Sequence, residues 1–274
     1  MLSLTGTAET GGATLEDEAN TTGTTAVITG TESSGGISID DIATGEIGTD
    51  IVITSSTIRK YGFACTNITS VVADNVTDLS GGNAANIFNL CTNLTSIHMA
   101  ELTSIGNSGS FCAGCTKLTR IYLPKIVDLG NYAFQSCTSL KAVALQSAWG
   151  SYQSFTGCSN LEVVDYGAKG TTRSGINVSN FANCKKLKVL ILRGESYLHG
   201  LSNINAFNGS PFASGGSGGT IYIPKSLYDQ LGTGTNDYKA ATNWSTLDGY
   251  GTVTWAAIEG SQYENYYADG TAIS

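Results

Sequence analysis

Charged residues are scarce in this chain: they make up 13% of its 274 residues, against 41% hydrophobic ones. That balance excludes a chain that is disordered throughout, because disorder goes with many charges and few apolar side chains. Apolar runs fall short of the ~20 residues that a membrane-spanning helix needs, so we predict no membrane insertion. The opening residues, Met1 to Gly6, have neither the basic start nor the apolar core of a secretory signal. We expect either an export signal removed beforehand or release by another route, such as lysis.

Histidine is also scarce, which limits catalytic and metal sites. His98 and His199 are distant in sequence, and neither has metal-ligand spacing. The stretch Gly215–Gly219 fits Gly-x-Ser-x-Gly, but a nucleophile elbow needs a strand before it and a helix after it, whereas this loop enters a strand. Carboxylate pairs such as Asp40 and Asp41 have no scaffold that fixes their separation. We therefore predict no catalytic residue, no metal, no cofactor and no enzyme activity.

Prolines number 3 against 34 glycines, which is typical of a turn-rich β protein. Its clearest feature is a recurring frame, Phe-x-x-Cys-x-x-Leu-x-x-Ile-x-Leu, of which Phe134–Leu145 is a full copy. Six of the seven cysteines mark the frame, at intervals of 26, 24, 22, 21 and 26 residues: Cys65, Cys91, Cys115, Cys137, Cys158 and Cys184. A period in the twenties with this leucine core indicates a leucine-rich-repeat solenoid.

A repeat this short cannot bury its own apolar face, so it must stack on its neighbours. Ile121 and Leu123 alternate with Arg120 and Tyr122, which predicts a short strand with two residues inward and two outward. We predict a β-rich leucine-rich-repeat solenoid in which the strands form one parallel sheet, joined by irregular or short helical return segments. The stacked cysteines would have parallel Cβ vectors, which favours buried thiols over disulfides.

The repeat resembles the BspA-like leucine-rich repeats of bacterial surface proteins, which read roughly Ile-Gly-x-x-Ala-Phe-x-x-Cys-x-x-Leu-x-x-Ile-x-Leu-Pro. The fullest match runs from Leu129 to Leu145, and the resemblance covers about residues 51–224. In one copy Cys112 stands at the usual Phe position, directly after Phe111. We expect that repeat to be locally irregular.

Four segments follow from this frame. Residues 1–36 form a Thr/Gly-rich leader or attachment segment, 37–60 an N-terminal β cap, 61–224 the solenoid, and 225–274 a C-terminal α/β cap or oligomerisation segment. Two stretches, Gly12–Thr31 and Tyr222–Ser245, resemble modules of phage and prophage tail-fibre proteins. The second is expected to form two short helices that fold over the open end of the solenoid.

The outward face of the sheet is the predicted binding surface. Small and apolar residues dominate it, and the polar and aromatic exceptions are His98, Arg120, Tyr122, Asp165 and Tyr222. Three interpretations stay open: a glycan or protein receptor docks on this face, a sister subunit covers it, or it is a weakly polar sheet. The apolar content favours the sister subunit, and the exceptions favour the receptor.

The charge is unevenly spread along the chain. Residues 112–193 carry ten bases against three acids, a balance of +7, while residues 1–60 have a balance of −7. A positive belt between negative ends can steer an anionic partner. No aromatic-interleaved basic groove accompanies it, so we predict no nucleic-acid binding.

These observations lead to a first hypothesis: a non-enzymatic, homo-oligomeric phage or prophage tail protein that binds a bacterial surface glycan or protein receptor. It would lie in the virion, extracellularly, in contact with other tail proteins. The alternative is a BspA-like adhesin on the bacterial cell surface. A polysaccharide-degrading tail enzyme comes third.

Overall fold

The structure is a computed structural model that describes residues 2–6, 13–17, 25–29, 50–53, 68–79, 86–106, 109–145, 152–166, 175–176, 179–194, 198, 200–233 and 237–264. Its strands are β1 Leu2–Gly6, β2 Ala13–Asp17, β3 Thr25–Thr29, β4 Asp50–Ile53, β5 Ser70–Val72, β6 Ser96–His98, β7 Arg120–Tyr122, β8 Ala142–Leu145, β9 Val163–Tyr166, β10 Gly175–Ile176, β11 Val189–Ile191, β12 Gly200–Leu201, β13 Gly219–Ile223 and β14 Val253–Ala257. The helices are α1 Lys225–Tyr228, α2 Trp244–Gly249 and a 3-10 helix, Ile204–Phe207.

The strands form two principal sheets. The first has the order β2-β1-β3-β4-β5-β6-β7 and is parallel except for the antiparallel β1–β2 pair, and the second has the parallel order β14-β13-β11-β9-β8. Strands β10 and β12 make a separate parallel pair. The prediction of one continuous sheet is therefore wrong, because the strand ladder is interrupted between β7 and β8. On the opposite side of the repeats the backbone ladder continues across this step, where the Cys112 amide donates to the Ala133 carbonyl at 2.6 Å.

The predicted solenoid interior is confirmed. The leucine of the frame is fully buried in five successive repeats: Leu94, Leu118, Leu140, Leu161 and Leu187. Inward residues of neighbouring strands lie opposite one another, as Ile97 does with Ile121 and Val164 with Leu190. Each repeat therefore buries its apolar face on the next, as the hydrophobic effect requires of units with no core of their own.

A column of buried phenylalanine rings closes the side of the solenoid away from the sheets. Phe134, Phe155 and Phe181 stack nearly parallel, at 5.6 and 5.8 Å between ring centroids. Around Phe111 the rings meet edge to face instead, at interplanar angles of 78° and 89°. The expected irregularity is confirmed: Cys112 takes the backbone position of the phenylalanine, and Phe111 fills the column from one residue earlier.

The return segments bring repeats so close that one position requires glycine. Gly130 has φ +64°, and a Cβ added there would lie 2.1 Å from the Gly106 carbonyl oxygen. This contact gives a physical reason for the glycine in the Leu129-Gly130 part of the frame, because no side chain fits the approach.

The cysteine thiols link each repeat to the one before it. Cys158 Sγ donates to the Phe134 carbonyl at 3.1 Å, and this carbonyl also accepts the Cys137 amide of its own repeat at 3.3 Å. Equivalent thiol bonds run from Cys115 to Phe88, from Cys137 to Cys112 and from Cys184 to Phe155. The repeat frame needs cysteine at this position because the site is buried and small. The carbonyl of the preceding repeat already accepts one amide, and its second lone pair requires a donor, which the thiol provides.

Aromatic side chains fill the end of the solenoid that follows β13. Tyr238, Trp244 and Trp255 are buried against one another, with Tyr238–Trp244 and Tyr238–Trp255 centroids both 5.3 Å apart. The second predicted helix is misplaced, since α2 begins at Trp244, where Tyr238 already belongs to a preceding turn. Tyr228 of α1, by contrast, is 38% exposed.

At the other end, β3 and β4 extend the sheet of the first repeats. Cys65 and His199 lie outside the described residues, as do residues 37–49 of the predicted N-terminal cap and 265–274 of the predicted C-terminal cap. Within the described residues, no helix combines the length and apolarity needed to cross a bilayer.

The buried thiols predict that the protein loses stability at alkaline pH. Burial raises the pKa of Cys112 and Cys158 from 9.0 to about 12, so the folded protein retains protons that the unfolded chain releases. A raised folded pKa stabilises the fold fully below the unfolded pKa, and this contribution is lost as the pH rises from about 9 towards 12. At pH 10 the expected loss is ~1.4 kcal/mol per thiol. Urea unfolding at pH 8 and pH 10 measures it.

The matched control is Cys158→Ala, which removes one titrating thiol. This variant is less stable at pH 8 by ~1 kcal/mol, through its lost hydrogen bond. Its further loss between pH 8 and pH 10 should be smaller than that of the unaltered protein by the contribution of one thiol. Equal losses in the two proteins would contradict the assignment.

Candidate binding surface

Three of the five predicted site residues lie together on the outward face of the first sheet. Arg120 and Tyr122 project from β7, and His98 projects from β6 in register with Tyr122. Ser70, Val72 and Ser96 complete this face on β5 and β6, and all three are half-buried. The alternation predicted for Arg120 and Tyr122 is thus confirmed, and it positions the three side chains on adjacent strands.

His98 and Tyr122 form a stacked aromatic pair, which we call the platform together with Asp74. The two ring centroids are 4.3 Å apart and the rings are nearly parallel, at 8°. Asp74 Oδ1 lies 2.7 Å from His98 Nδ1 and accepts the Ala100 amide at 2.9 Å. The carboxylate therefore fixes the imidazole orientation, and the imidazole in turn holds the phenol ring.

The platform is accessible, with 43% of the His98 side chain and 45% of the Asp74 side chain exposed. It offers aromatic faces, a phenol hydroxyl and a carboxylate within a small area, while Arg120 on the same strand adds an exposed cation. Such a set can bind a ligand through ring contacts and hydrogen bonds. Within the described ranges, no three or more His, Cys, Asp or Glu side chains cluster so as to hold a metal ion.

The outward face of the second sheet is covered by the chain itself. Ile258 and Tyr263 pack on an apolar set from β8, β9 and β11, comprising Ala142, Val163, Val189 and Ile191. We call residues 258–264 the strap. The strap covers the apolar surface that we had interpreted as the seam of a sister subunit, so apolar content no longer supports that interpretation.

The strap also changes the environment of the other two predicted site residues. Tyr222 lies against Tyr263, with ring centroids 4.7 Å apart, and burial followed by the neighbouring Tyr263 raises the pKa of Tyr222. Asp165 has no exposed side-chain surface and is paired with Arg193. The expectation that Asp165 is available on an open face is wrong, because the strap closes over it.

Arg193 joins this buried carboxylate to the strap. Its Nε donates to Asp165 Oδ2 at 2.9 Å, and its Nη2 lies 2.8 Å from the same oxygen. The same guanidinium donates to the Tyr263 carbonyl at 2.6 Å and to the Glu264 carbonyl at 3.3 Å. The planar fork of arginine allows one side chain to satisfy a carboxylate and two backbone carbonyls.

Sequence reasoning missed Asp74 and Arg193. A signal for Arg193 was present, because a lone acid within an apolar column needs a cation. Arg193 stands two residues beyond Ile191, which lies opposite Asp165, so the alternation of the strand carries it to the same side. Asp74 carried no comparable signal, since it lies in the turn after β5, where the repeat frame does not specify which way a side chain points.

Breaking the Asp165–Arg193 pair is predicted to destabilise the protein. Arg193→Met retains much of the aliphatic volume but leaves a buried carboxylate without its cation, which costs about 3–5 kcal/mol. The matched double variant Asp165→Leu/Arg193→Met removes both charges and should recover a large part of that loss. Urea unfolding measures the difference between the variants. A double variant no more stable than the single one would contradict the assigned pairing.

The family profile that matches the repeats agrees with the geometry. Residues 83–211 match the family profile described as BspA type Leucine rich repeat region, in six copies. A leucine-rich repeat protein from Bacteroides ovatus, known from a crystal structure, shares 15% identity over 94% of this chain and 98% of its own, with a TM-score of 0.20. No curated protein matches the sequence. The chain thus folds as a leucine-rich-repeat solenoid, and its residues 83–211 form a BspA-type repeat region.

Proposed function

We propose that this chain is a non-enzymatic recognition protein of the bacterial cell surface, an adhesin of the BspA-like kind. Its platform would bind a glycan receptor through the His98 and Tyr122 rings. The observation that carries the proposal is the stacked pair of rings on the first sheet, in which Asp74 holds His98 and 43% of the His98 side chain is exposed. The BspA-type repeats support the cell-surface setting.

The chemistry of the platform suits a saccharide. Aromatic rings offer apolar surface to the C–H groups of a sugar, and the phenol hydroxyl and Asp74 carboxylate offer partners to its hydroxyls. The platform is also preorganised, since His98 is oriented by a 2.7 Å contact and stacked on its neighbour. Binding to such a site loses little side-chain entropy, which raises the affinity available from a small contact area.

The absence of enzyme activity belongs to the same proposal. The repeat family is typically non-catalytic, which supports it. Nearly half of the His98 and Asp74 side chains is exposed, so water has access to the platform, whereas a reacting bond is commonly shielded from water. We therefore expect binding without bond cleavage.

The phage-tail hypothesis stays a prediction that rests on the resemblance of the two end segments. The matching family profile covers the repeats and not the two end segments, so it supports the cell-surface adhesin better than the tail protein. Gene context separates the two: an upstream signal-peptide sequence favours the adhesin, and neighbouring tail genes favour the phage protein.

Glycan-array binding of the purified protein tests the proposed function. We expect a defined set of bacterial surface glycans to bind, with no sugar released on prolonged incubation. The variant His98→Ala/Tyr122→Ala should weaken binding by about 2 kcal/mol or more, roughly thirtyfold, as expected for a central aromatic contact.

The matched control is Tyr152→Ala, which removes another exposed tyrosine, one that packs on Tyr132 away from the platform. This control should bind as the unaltered protein does. Equal losses in the control and the platform variant would refute the platform as the binding site, and release of sugar would refute the non-enzymatic assignment. Failure of every glycan to bind while a surface protein binds at the platform would refute the glycan as receptor.

A further inference from the structure

We propose a second interaction surface, separate from the platform: a lysine-rich edge of the solenoid that binds a linear anionic polysaccharide. This basic edge lies where the chain turns from each cysteine into the next strand. Its exposed cations come from three repeats: Lys117, Lys141, Lys185, Lys186 and Lys188. The proposal stands independently of the proposed function.

Backbone register brings these lysines side by side. Lys141 and Lys188 immediately precede β8 and β11, and Glu162 occupies the same position before β9, between them. The Glu162 amide donates to the Lys141 carbonyl at 2.7 Å, and the Lys188 amide donates to the Glu162 carbonyl at 3.0 Å. The three side chains therefore follow one another at the strand spacing of about 4.8 Å.

The basic edge also continues across the step at which the strand ladder is interrupted. Thr138 Oγ1 donates to the Thr116 carbonyl at 3.4 Å, next to Lys117, and Asn160 Nδ2 donates to the Thr138 carbonyl at 2.7 Å. These bonds join the turns of three successive repeats. Lys117 thus belongs to the same continuous edge as Lys141.

Charge is concentrated here rather than balanced. Glu162 is the acid among these lysines, and it is bridged to Lys188 at 2.6 Å. The pKa of Glu162 is lowered first by its hydrogen bond to Lys188 and also by the charges of Lys186 and Lys141. All three cations therefore favour the ionised form of this carboxylate. One carboxylate among five lysines leaves the edge strongly positive.

The opposite edge of the described repeats has the reverse character. There the acids Asp74, Glu101 and Asp128 follow the strands, and Lys125 is engaged by both oxygens of Glu101, at 2.5 and 2.7 Å. Among the described repeats, the lysines with little acidic compensation are thus concentrated on one edge of a protein whose net charge is −8. Such a separation of charge attracts a polyanion to one side despite the negative total.

The side chains between the lysines select the kind of polyanion. They are hydroxyls and an amide, as at Thr116, Ser139, Ser159 and Asn160. The described turns that carry these lysines hold no aromatic side chain on which a nucleic-acid base could stack, whereas hydroxyl and amide groups suit the hydroxyls of a sugar chain. We therefore infer an anionic polysaccharide in preference to a single-stranded nucleic acid.

Biolayer interferometry with heparin, a linear sulfated polysaccharide, tests the proposal on the full chain. We expect the protein to bind immobilised heparin and not neutral dextran. With four lysines engaged, affinity should fall roughly 50-fold between 50 and 200 mM salt, if the counterion release of a single-stranded polyanion applies. The triple variant Lys141→Gln/Lys186→Gln/Lys188→Gln should bind at least tenfold more weakly.

The matched control is Lys125→Gln/Lys225→Gln/Lys239→Gln, which changes the net charge equally but lies away from the basic edge. It should retain heparin binding, as should His98→Ala/Tyr122→Ala, so that failure here is distinguishable from failure of the platform. Circular dichroism verifies that each variant is folded. No heparin binding, equal loss in the two triple variants, or tighter binding to poly-dT than to heparin would each overturn the proposal.

Discussion

The hydrogen bonds from four buried thiols to the preceding repeats fix the spacing on which the remaining structure depends, and the donors are Cys115, Cys137, Cys158 and Cys184. Each such bond has a modest net energy of about 1 kcal/mol, but it joins fixed positions of the frame, as from Cys158 to Phe134. Because the donor and acceptor recur at the same places, a slip between neighbouring repeats would leave the buried thiols without an acceptor and each carbonyl with only the amide of its own repeat. That constraint aligns the outward residues of successive strands, so His98 and Tyr122 meet as a stacked pair and the lysines as an edge.

Periodicity was enough to predict the features that recur, and insufficient for those that occur once. The frame predicted the column of buried leucines, the outward position of His98 and the displacement at Cys112. It could not predict the interruption between β7 and β8, because the sequence frame is intact there. Nor could it predict that Asp165 is buried, since the cover comes from Tyr263, nearly one hundred residues away, and an outward position does not reveal what packs on it.

The strap divides the outward face into two chemically different halves. On the second sheet, Ile258 and Tyr263 bury an apolar surface that would otherwise favour association, and Arg193 anchors the backbone of Tyr263. On the first sheet, the platform stays accessible. The prediction of a homo-oligomer consequently loses its apolar argument and stays a prediction, while recognition is concentrated on the half that carries His98 and Tyr122.

The two proposed surfaces rely on forces that respond differently to solution conditions. Ring contacts at the platform depend on apolar burial and persist in salt, whereas lysine contacts on the basic edge weaken as counterions screen them. Salt therefore separates the two surfaces in an experiment, because raising its concentration should weaken binding at the basic edge far more than binding at the platform. A solenoid suits this arrangement, because one stacking rule positions an edge and a face together.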